Sequence, residues 1–508
     1  MIADARADAA ATRAALALIA AFALARVGLA MGLGLGVDES YTLLISRRLA
    51  LSYFDHPPLH QWIAHFSALV FGETWAARLP FIALFAGTGW LMFLLTRQLF
   101  GAAAGVWAVF GLNAALFFLV AAGGWIVPDG PLMFALLAAA LAIAPLLLSG
   151  DPEASPWRGW LLTGLWLGLA GLSKYLAIFA ALGLLLFIIF SPRQWRWLLH
   201  PAPYAAGLLA LAIISPVIIW NAQHHWVSFH FQAGRGTPDH ELHPGQVAGI
   251  ILGELAMLTP WNIVPIIGGL GAGLAAARRD DRAQLLLCLS LPAIVFFTLQ
   301  PLFGDRGFPH WTMPGWLFVF PLMGEWAART WADAARARRW AVASVAALAV
   351  VAALAISHAN TGWLLRFYGL PKGQTDVSLE AWPWAALRDQ PLLGGGGGAL
   401  PGFVVTGKWG TAGRLGLALG RQTHILVFPG DPHGVAFLEK PAAFVGQDAV
   451  IVLPLAEVAD TMPAYQPYFT SIDPPTVVTL GRLGAPEIPI ALIPAHGLKK
   501  PFPMPYLR

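Results

Sequence analysis

The chain has 508 residues, of which 57% are hydrophobic and only 11% charged, with a mean hydropathy of +0.65. A soluble domain carries about 25% charged residues, so this composition excludes an ordinary globular enzyme and identifies a multi-span membrane protein. The net charge of +4 is small and scattered through short loops, so no nucleic-acid partner is expected. Cys288 is the single cysteine, which excludes an intrachain disulfide.

Apolar runs predict about eleven membrane spans, near 14–36, 79–99, 103–123, 130–148, 158–174, 176–192, 203–221, 246–274, 283–303, 312–328 and 340–358. The first resembles a signal peptide in its basic start and small residues near Ala30, but its length and the spans after it read as a retained anchor. With the N-terminus inside, the cytoplasmic loops carry Arg97, Arg158, Arg193, Arg196, Arg278, Arg279, Arg282, Arg329, Arg336, Arg338 and Arg339. The opposite loops carry Arg47, Arg48, Arg78, Lys174, Arg235 and Arg306. This positive-inside bias sets the orientation and places the C-terminal region outside.

The domain reading follows. Residues 1–360 form the membrane domain, whose first outer loop, 37–77, holds two amphipathic helices broken at Asp55-His56-Pro57-Pro58. These helices would lie on the membrane beside an outward cavity. Residues 361–398 read as a linker ending in the run Gly394–Gly398. Residues 399–508 read as a small extracytoplasmic β-containing or α/β domain. Its strands are expected at Phe403–Val405, His424–Phe428, Ala449–Leu453, Thr476–Leu480 and Ile488–Ile493.

The outward loops carry the chemistry. Asp38-Glu39 is a carboxylate pair at the end of a span, where charge is costly unless it meets water, a partner or a substrate. Solvated interface charge is the bland alternative. Asp129 follows Val127-Pro128 and opens a helix, so it reads equally as an N-cap. Lys174 interrupts a long apolar stretch and either snorkels to the interface or meets an anion. Arg78 reads as an interface anchor. His224, His225, His230, His240 and His243 crowd one loop, a possible divalent-metal site without tight ligand spacing.

The order of several motifs adds to this reading. Asp38-Glu39-Ser40-Tyr41 is followed by His56-Pro57-Pro58-Leu59, Phe71-Gly72 and Ala76-Ala77-Arg78-Leu79-Pro80. Val127-Pro128-Asp129-Gly130-Pro131, Gly171-Leu172-Ser173-Lys174-Tyr175, Trp220-Asn221 and Ser228-Phe229-His230-Phe231-Gln232 come next. Over about residues 10–330 this series resembles the polyprenyl-phosphate-sugar-dependent glycosyltransferases of the C-type membrane fold. The similarity is to the bacterial branch related to protein O-mannosyltransferases and to the lipid A aminoarabinose transferase.

The resemblance implies an all-α polytopic fold and an inverting transfer of a sugar from a polyprenyl phosphate to a lipid, glycan or protein acceptor. Transfer would occur on the outer face of a bacterial cytoplasmic membrane. It implies Asp38 as general base, with Glu39 and Asp129 as further catalytic candidates. His56, Tyr41, Lys174, Arg235, Arg306 and Asn221 are the implied substrate-binding residues. His56 and Tyr41 replace the Lys and Arg of the aminoarabinose branch, which leaves that sugar and a lipid A acceptor open. A transporter or flippase of lipid-linked sugars, or a membrane scaffold, is the alternative class. No internal repeat of the kind common in transporters is visible.

Overall fold

The computed structural model describes residues 2–148, 155–235, 242–304, 307–331, 334–367, 384–482, 488–504 and 506. The chain divides into two compact units. The first comprises Met1–Gly28, His56–His60 and Arg78–Ala349, and the second Leu29–Asp55, Gln61–Ala77 and Val350–Arg508.

The first unit is helical. Among the described residues six helices are long and apolar enough to cross a membrane: Ala5–Gly32, Trp75–Phe100, Asp129–Leu148, Pro201–Gln223, Asp281–Leu302 and Ala335–Thr361. Three further pairs qualify only as bent spans, which brings the number to nine rather than the eleven expected. The expected span at 158–174 is a helix, Pro156–Ser173, whose tryptophans, glycines and Arg158 dilute its apolar content. The expected span at 312–328 is broken into Met313–Trp316, Leu317–Val319 and Phe320–Thr330, with a proline early in the first and last pieces.

The bends have identifiable causes. Ala102–Ala114 turns by 83° into Leu116–Gly124, which frees backbone carbonyls inside an apolar core where they must find donors. Arg26 supplies them. Its guanidinium donates to the carbonyls of Leu119 (3.1 Å) and Phe118 (3.0 Å) and to Asn113 Oδ1 (2.8 Å), with the Phe85 ring 4.6 Å away. Thr259 Oγ1 donates to the Ala114 carbonyl at 3.1 Å from the break between Pro244–Leu258 and Pro260–Ala276, itself an 87° bend.

Close helix contact uses small residues, as expected where lipid offers no hydrophobic drive between helices. A Cβ on Gly164 would stand 2.3 Å from the Ala206 carbonyl oxygen, so helices Pro156–Ser173 and Pro201–Gln223 meet backbone to backbone.

The second unit is built on a six-stranded mixed sheet ordered β2-β1-β3-β6-β4, with β5 also paired to β6. The strands are β1 Phe403–Thr406, β2 Ile425–Val427, β3 Ala449–Pro454, β4 Phe469–Ile472, β5 Thr476–Leu480 and β6 Ile488–Leu498. Helix Trp409–Leu419 connects the parallel neighbours β1 and β2. β6 runs antiparallel to β3, β4 and β5. Five strands stand where apolar, β-rich runs and turn residues placed them; β4 was not expected.

Period-two alternation divides the strand residues between two cores. Val404, Val450, Val452, Ile490 and Leu492 face one, and Phe403, Val405, Ile451, Leu453 and Ile493 face the other. The first core also contains Tyr41, Leu44, Ile45 and Tyr53 from the first loop, and Trp384, Leu387 and Leu393 from the segment read as linker. Within that segment Gly394–Gly398 forms a tight turn with positive φ at Gly394, Gly396 and Gly397.

The two first-loop helices are Val37–Ser46 and Leu59–Phe71. The first is not a one-sided surface helix as expected: every residue from Glu39 to Ser46 is buried, because it packs on helix Trp409–Leu419. The second leaves Phe66, Leu69, Val70 and Phe71 exposed, an apolar end suited to a lipid interface.

Candidate active site

In the first unit the site is organised by Asp129 and Lys174. Asp129 opens helix Asp129–Leu148. Lys174 stands at the end of Pro156–Ser173 in extended backbone, where the chain leaves the helix. The Ser173 hydroxyl donates to the Pro128 carbonyl at 2.6 Å, tying the two helix ends together. Lys174 Nζ then donates to both oxygens of Asp129, at 2.8 and 3.0 Å, with the side chains only 7% and 8% exposed. The readings of Asp129 as an ordinary cap and of Lys174 as a snorkelling side chain both give way to a buried bidentate pair. An ammonium has three N–H groups, so one is left for another acceptor.

Lys174 also lines a cavity of about 450 Å³. His56, Tyr175, Gln232, Arg235, Gln300 and Trp311 share its polar wall, and Phe179, Phe296 and Phe297 its apolar wall. Arg235 is held by rings, its guanidinium carbon lying 5.0 Å from Phe231 and 5.6 Å from Trp311. A second cavity of about 540 Å³ is almost wholly apolar, with Trp160, Leu167, Leu184, Ile214 and Phe229 among its walls. Tyr175 and Ile178 line both.

Three histidines belong to this electropositive region. Burial, reinforced by His60, Lys174, Arg235 and His310, holds His56 well below the ordinary imidazole range. Burial and Lys174 hold His60 down to about 3. Burial and Lys174 hold His310 down to about 4, partly opposed by Asp129. All three are therefore neutral near pH 7. His56 Nδ1, His60 Nδ1 and Gln300 Oε1 are buried without a hydrogen-bond partner among the described residues. His60 was missed in the sequence, although its four-residue spacing from His56 was a usable signal.

Other expected residues take structural places. Asn221 is fully buried, its amide nitrogen donating to Val217 O (3.0 Å) and its oxygen accepting from Ser228 N (3.1 Å). It fixes the turn into helix Val227–Gly234, and both ends of its amide are occupied. Arg78, expected at the interface, is 2% exposed. His224 stacks on Trp220 at 4.0 Å. Among the described residues no three His, Cys, Asp or Glu side chains come together as metal ligands. Arg306 and His240 lie outside the described residues.

In the second unit Asp38 and Glu39 sit in the first turn of helix Val37–Ser46 and differ sharply. Glu39 is 1% exposed, and its Oε2 accepts from Gly36 N at 2.9 Å, closing the helix start. Asp38 is exposed. Its carboxylate stands at a helix N-terminus, where the helix dipole favours negative charge. Tyr41, expected to bind substrate, is instead 4% exposed, with its hydroxyl 3.1 Å from Asp55 Oδ1 and 2.8 Å from Gly434 N.

Residues 55–220 match the family model described as dolichyl-phosphate-mannose-protein mannosyltransferase. Lipid A galacturonosyltransferase RgtD of Rhizobium johnstonii is 25% identical over 301 residues, 55% of this chain. The match spans 58% of that curated relative's length. ArnT from Cupriavidus metallidurans bound to undecaprenyl phosphate superposes with a TM-score of 0.63 at 15% identity, over 94% of this chain and 97% of ArnT. The apo oligosaccharyltransferase of Archaeoglobus fulgidus gives 0.50 at 12% identity, over 93% and 74%. These likenesses show that the chain shares the fold of ArnT.

Proposed function

We propose that the protein is a glycosyltransferase that moves a sugar from a polyprenyl phosphate to a lipid, glycan or protein acceptor on the outer face of a bacterial cytoplasmic membrane. The observation that carries this reading is the pair of adjoining cavities. One offers Lys174, Arg235 and the His56 imidazole, and the other, which shares Tyr175 and Ile178 with it, is apolar. A lipid phosphate needs both: charge-assisted donors for its head and a dry apolar wall for its tail.

In this reading the acceptor hydroxyl attacks the anomeric carbon and gives its proton to Asp38. The bond from that carbon to the phosphate oxygen breaks, with inversion. The leaving phosphate gathers charge, which Arg235 and the remaining N–H of Lys174 stabilise. Asp129 holds the ammonium in place, and Glu39 holds the start of the helix that carries Asp38. The loop-charge bias supports outward orientation.

The test uses the purified chain in lipid nanodiscs with undecaprenyl-phosphate-linked sugars. Wild type should release undecaprenyl phosphate as the acceptor is glycosylated. Asp38→Asn should lower turnover by about 10²–10⁴-fold with donor binding retained. Wild-type rates from Asp38→Asn would remove the base assignment. Binding and transbilayer movement of the donor without transfer would favour a flippase.

A further inference from the structure

Helix Val37–Ser46 could have been fixed by the loop around it, yet its contacts within the second unit are mainly to the C-terminal sheet domain. Three features make them unusually specific.

The first is a row of glycines on helix Trp409–Leu419. A Cβ on Gly410 would meet Val37 Cγ1 at 3.0 Å. On Gly413 it would meet the backbone of Tyr41 at 2.6 and 2.8 Å, and on Gly416 Leu44 Cδ1 at 2.6 Å. The spacing of three puts all three glycines on one helix face, so the two helices run in near-backbone contact.

The second is Arg47, just past the end of the first-loop helix. It donates to the carbonyl of Gly416 (2.7 Å), which also accepts from Gly420 N, and to that of Gly420 (3.3 Å), at the end of helix Trp409–Leu419. It is itself held by Glu73 through two bonds of 2.9 and 2.7 Å.

The third is Tyr41. Its ring lies 5.0 Å from Trp409 and 6.4 Å from His433, and its hydroxyl joins Asp55 to Gly434 N. Phe54, next to Asp55, stacks on Tyr506 at 4.3 Å.

We propose that the C-terminal sheet domain is a positioning part of the catalytic machinery: the Gly410–Gly413–Gly416 face, Arg47 and Tyr41 set where the Asp38 carboxylate stands. This rests on Asp38 acting as the base. Tyr41 and Gly413 are positioning residues, since neither is placed on substrate. A shift of the helix by even about 1 Å would cost on the order of 10²-fold in rate, because proton transfer and attack need tight geometry. Binding of the donor head would be untouched.

The experiment uses the full chain in nanodiscs, with hydrogen exchange and steady-state kinetics on each variant. Gly413→Ala should lower kcat at least about tenfold, leave the donor KM within about twofold, and speed exchange of the Val37–Ser46 amides while β3 and β6 stay protected. Gly416→Ala should behave alike, and Leu44→Val added to it should recover most of kcat by removing the clash. Ile451→Ala, in the core on the other sheet face, should weaken sheet protection with kcat near wild type. The proposal is overturned if Gly413→Ala keeps kcat and helix protection, or if Ile451→Ala loses as much kcat. Absence of turnover in wild type would sink the transferase reading alone, and the exchange data would still decide whether the glycine face holds the helix.

Discussion

The Lys174–Asp129 pair offers the sharpest test of how the first unit is held together. Lys174→Met keeps the apolar stem and deletes the charge, leaving Asp129 buried at 8% side-chain exposure with its main cation gone. Asp129→Asn removes the counter-charge of the ammonium but keeps one acceptor oxygen. Breaking a buried pair from one side costs about 3–5 kcal/mol, while removing both charges is often nearly neutral. Lys174→Met loses both bonds of 2.8 and 3.0 Å, which puts its expected cost toward the upper half of that range, while Asp129→Asn keeps one acceptor oxygen and should cost less. The double variant Lys174→Met/Asp129→Asn should therefore be much more stable than the sum of the singles, with a coupling of at least about 3 kcal/mol. Reversible SDS titration in mixed micelles, on all four proteins, measures the cycle. Single costs below about 1 kcal/mol, or an additive double, would refute the claim that the pair is buried and mutually dependent. The same Lys174→Met protein should bind undecaprenyl phosphate more weakly, because the donor phosphate loses a charge-assisted contact.

Glu39→Ala should cost about 1 kcal/mol through loss of the bond to Gly36 N, whereas Glu39→Gln keeps an acceptor oxygen and should unfold near the wild-type midpoint. A Glu39→Gln protein as destabilised as Glu39→Ala would contradict the cap. Stability should also depend on pH through the depressed histidines. The unfolded chain takes up protons near pH 6.5, while the folded protein keeps His310 neutral to about 4 and His60 to about 3. Their contribution is complete above pH 6.5 and is lost as pH falls toward 4 and then 3, levelling below. Thermal unfolding from pH 7.5 to 4 should show this decline, and His310→Gln should flatten it. An unchanged slope would mean that His310 is not held neutral.

The apolar runs, the short β-rich runs between turn residues and the outward charges were legible in the sequence, because each is a local pattern of one residue type against its neighbours. Hydropathy alone placed the long helices, and short apolar, β-rich runs between turn residues placed five of the six strands. Asp38, Asp129, Lys174 and Arg235 stood out because charge beside lipid is costly and their motifs came in a familiar order.

Tertiary structure decided what those residues touch. Lys174 and Asp129 are 45 positions apart, and nothing local says that their side chains close on each other rather than on water. Arg26 was not singled out in the sequence; only the end of the short helix Leu116–Leu119 opens the Phe118 and Leu119 carbonyls that it satisfies. Tyr41 and Asn221 matched positions expected to bind substrate, yet their polar atoms are used by partners brought from Gly434, Asp55, Val217 and Ser228. The sheet read as part of a small separate domain in sequence, because turn residues separate its apolar, β-rich runs. One face of it is completed by Tyr41, Leu44 and Ile45, more than 350 residues upstream of Val404. Patterns along a chain specify which surfaces must be buried; the pairing of those surfaces is a packing solution found only when distant segments meet.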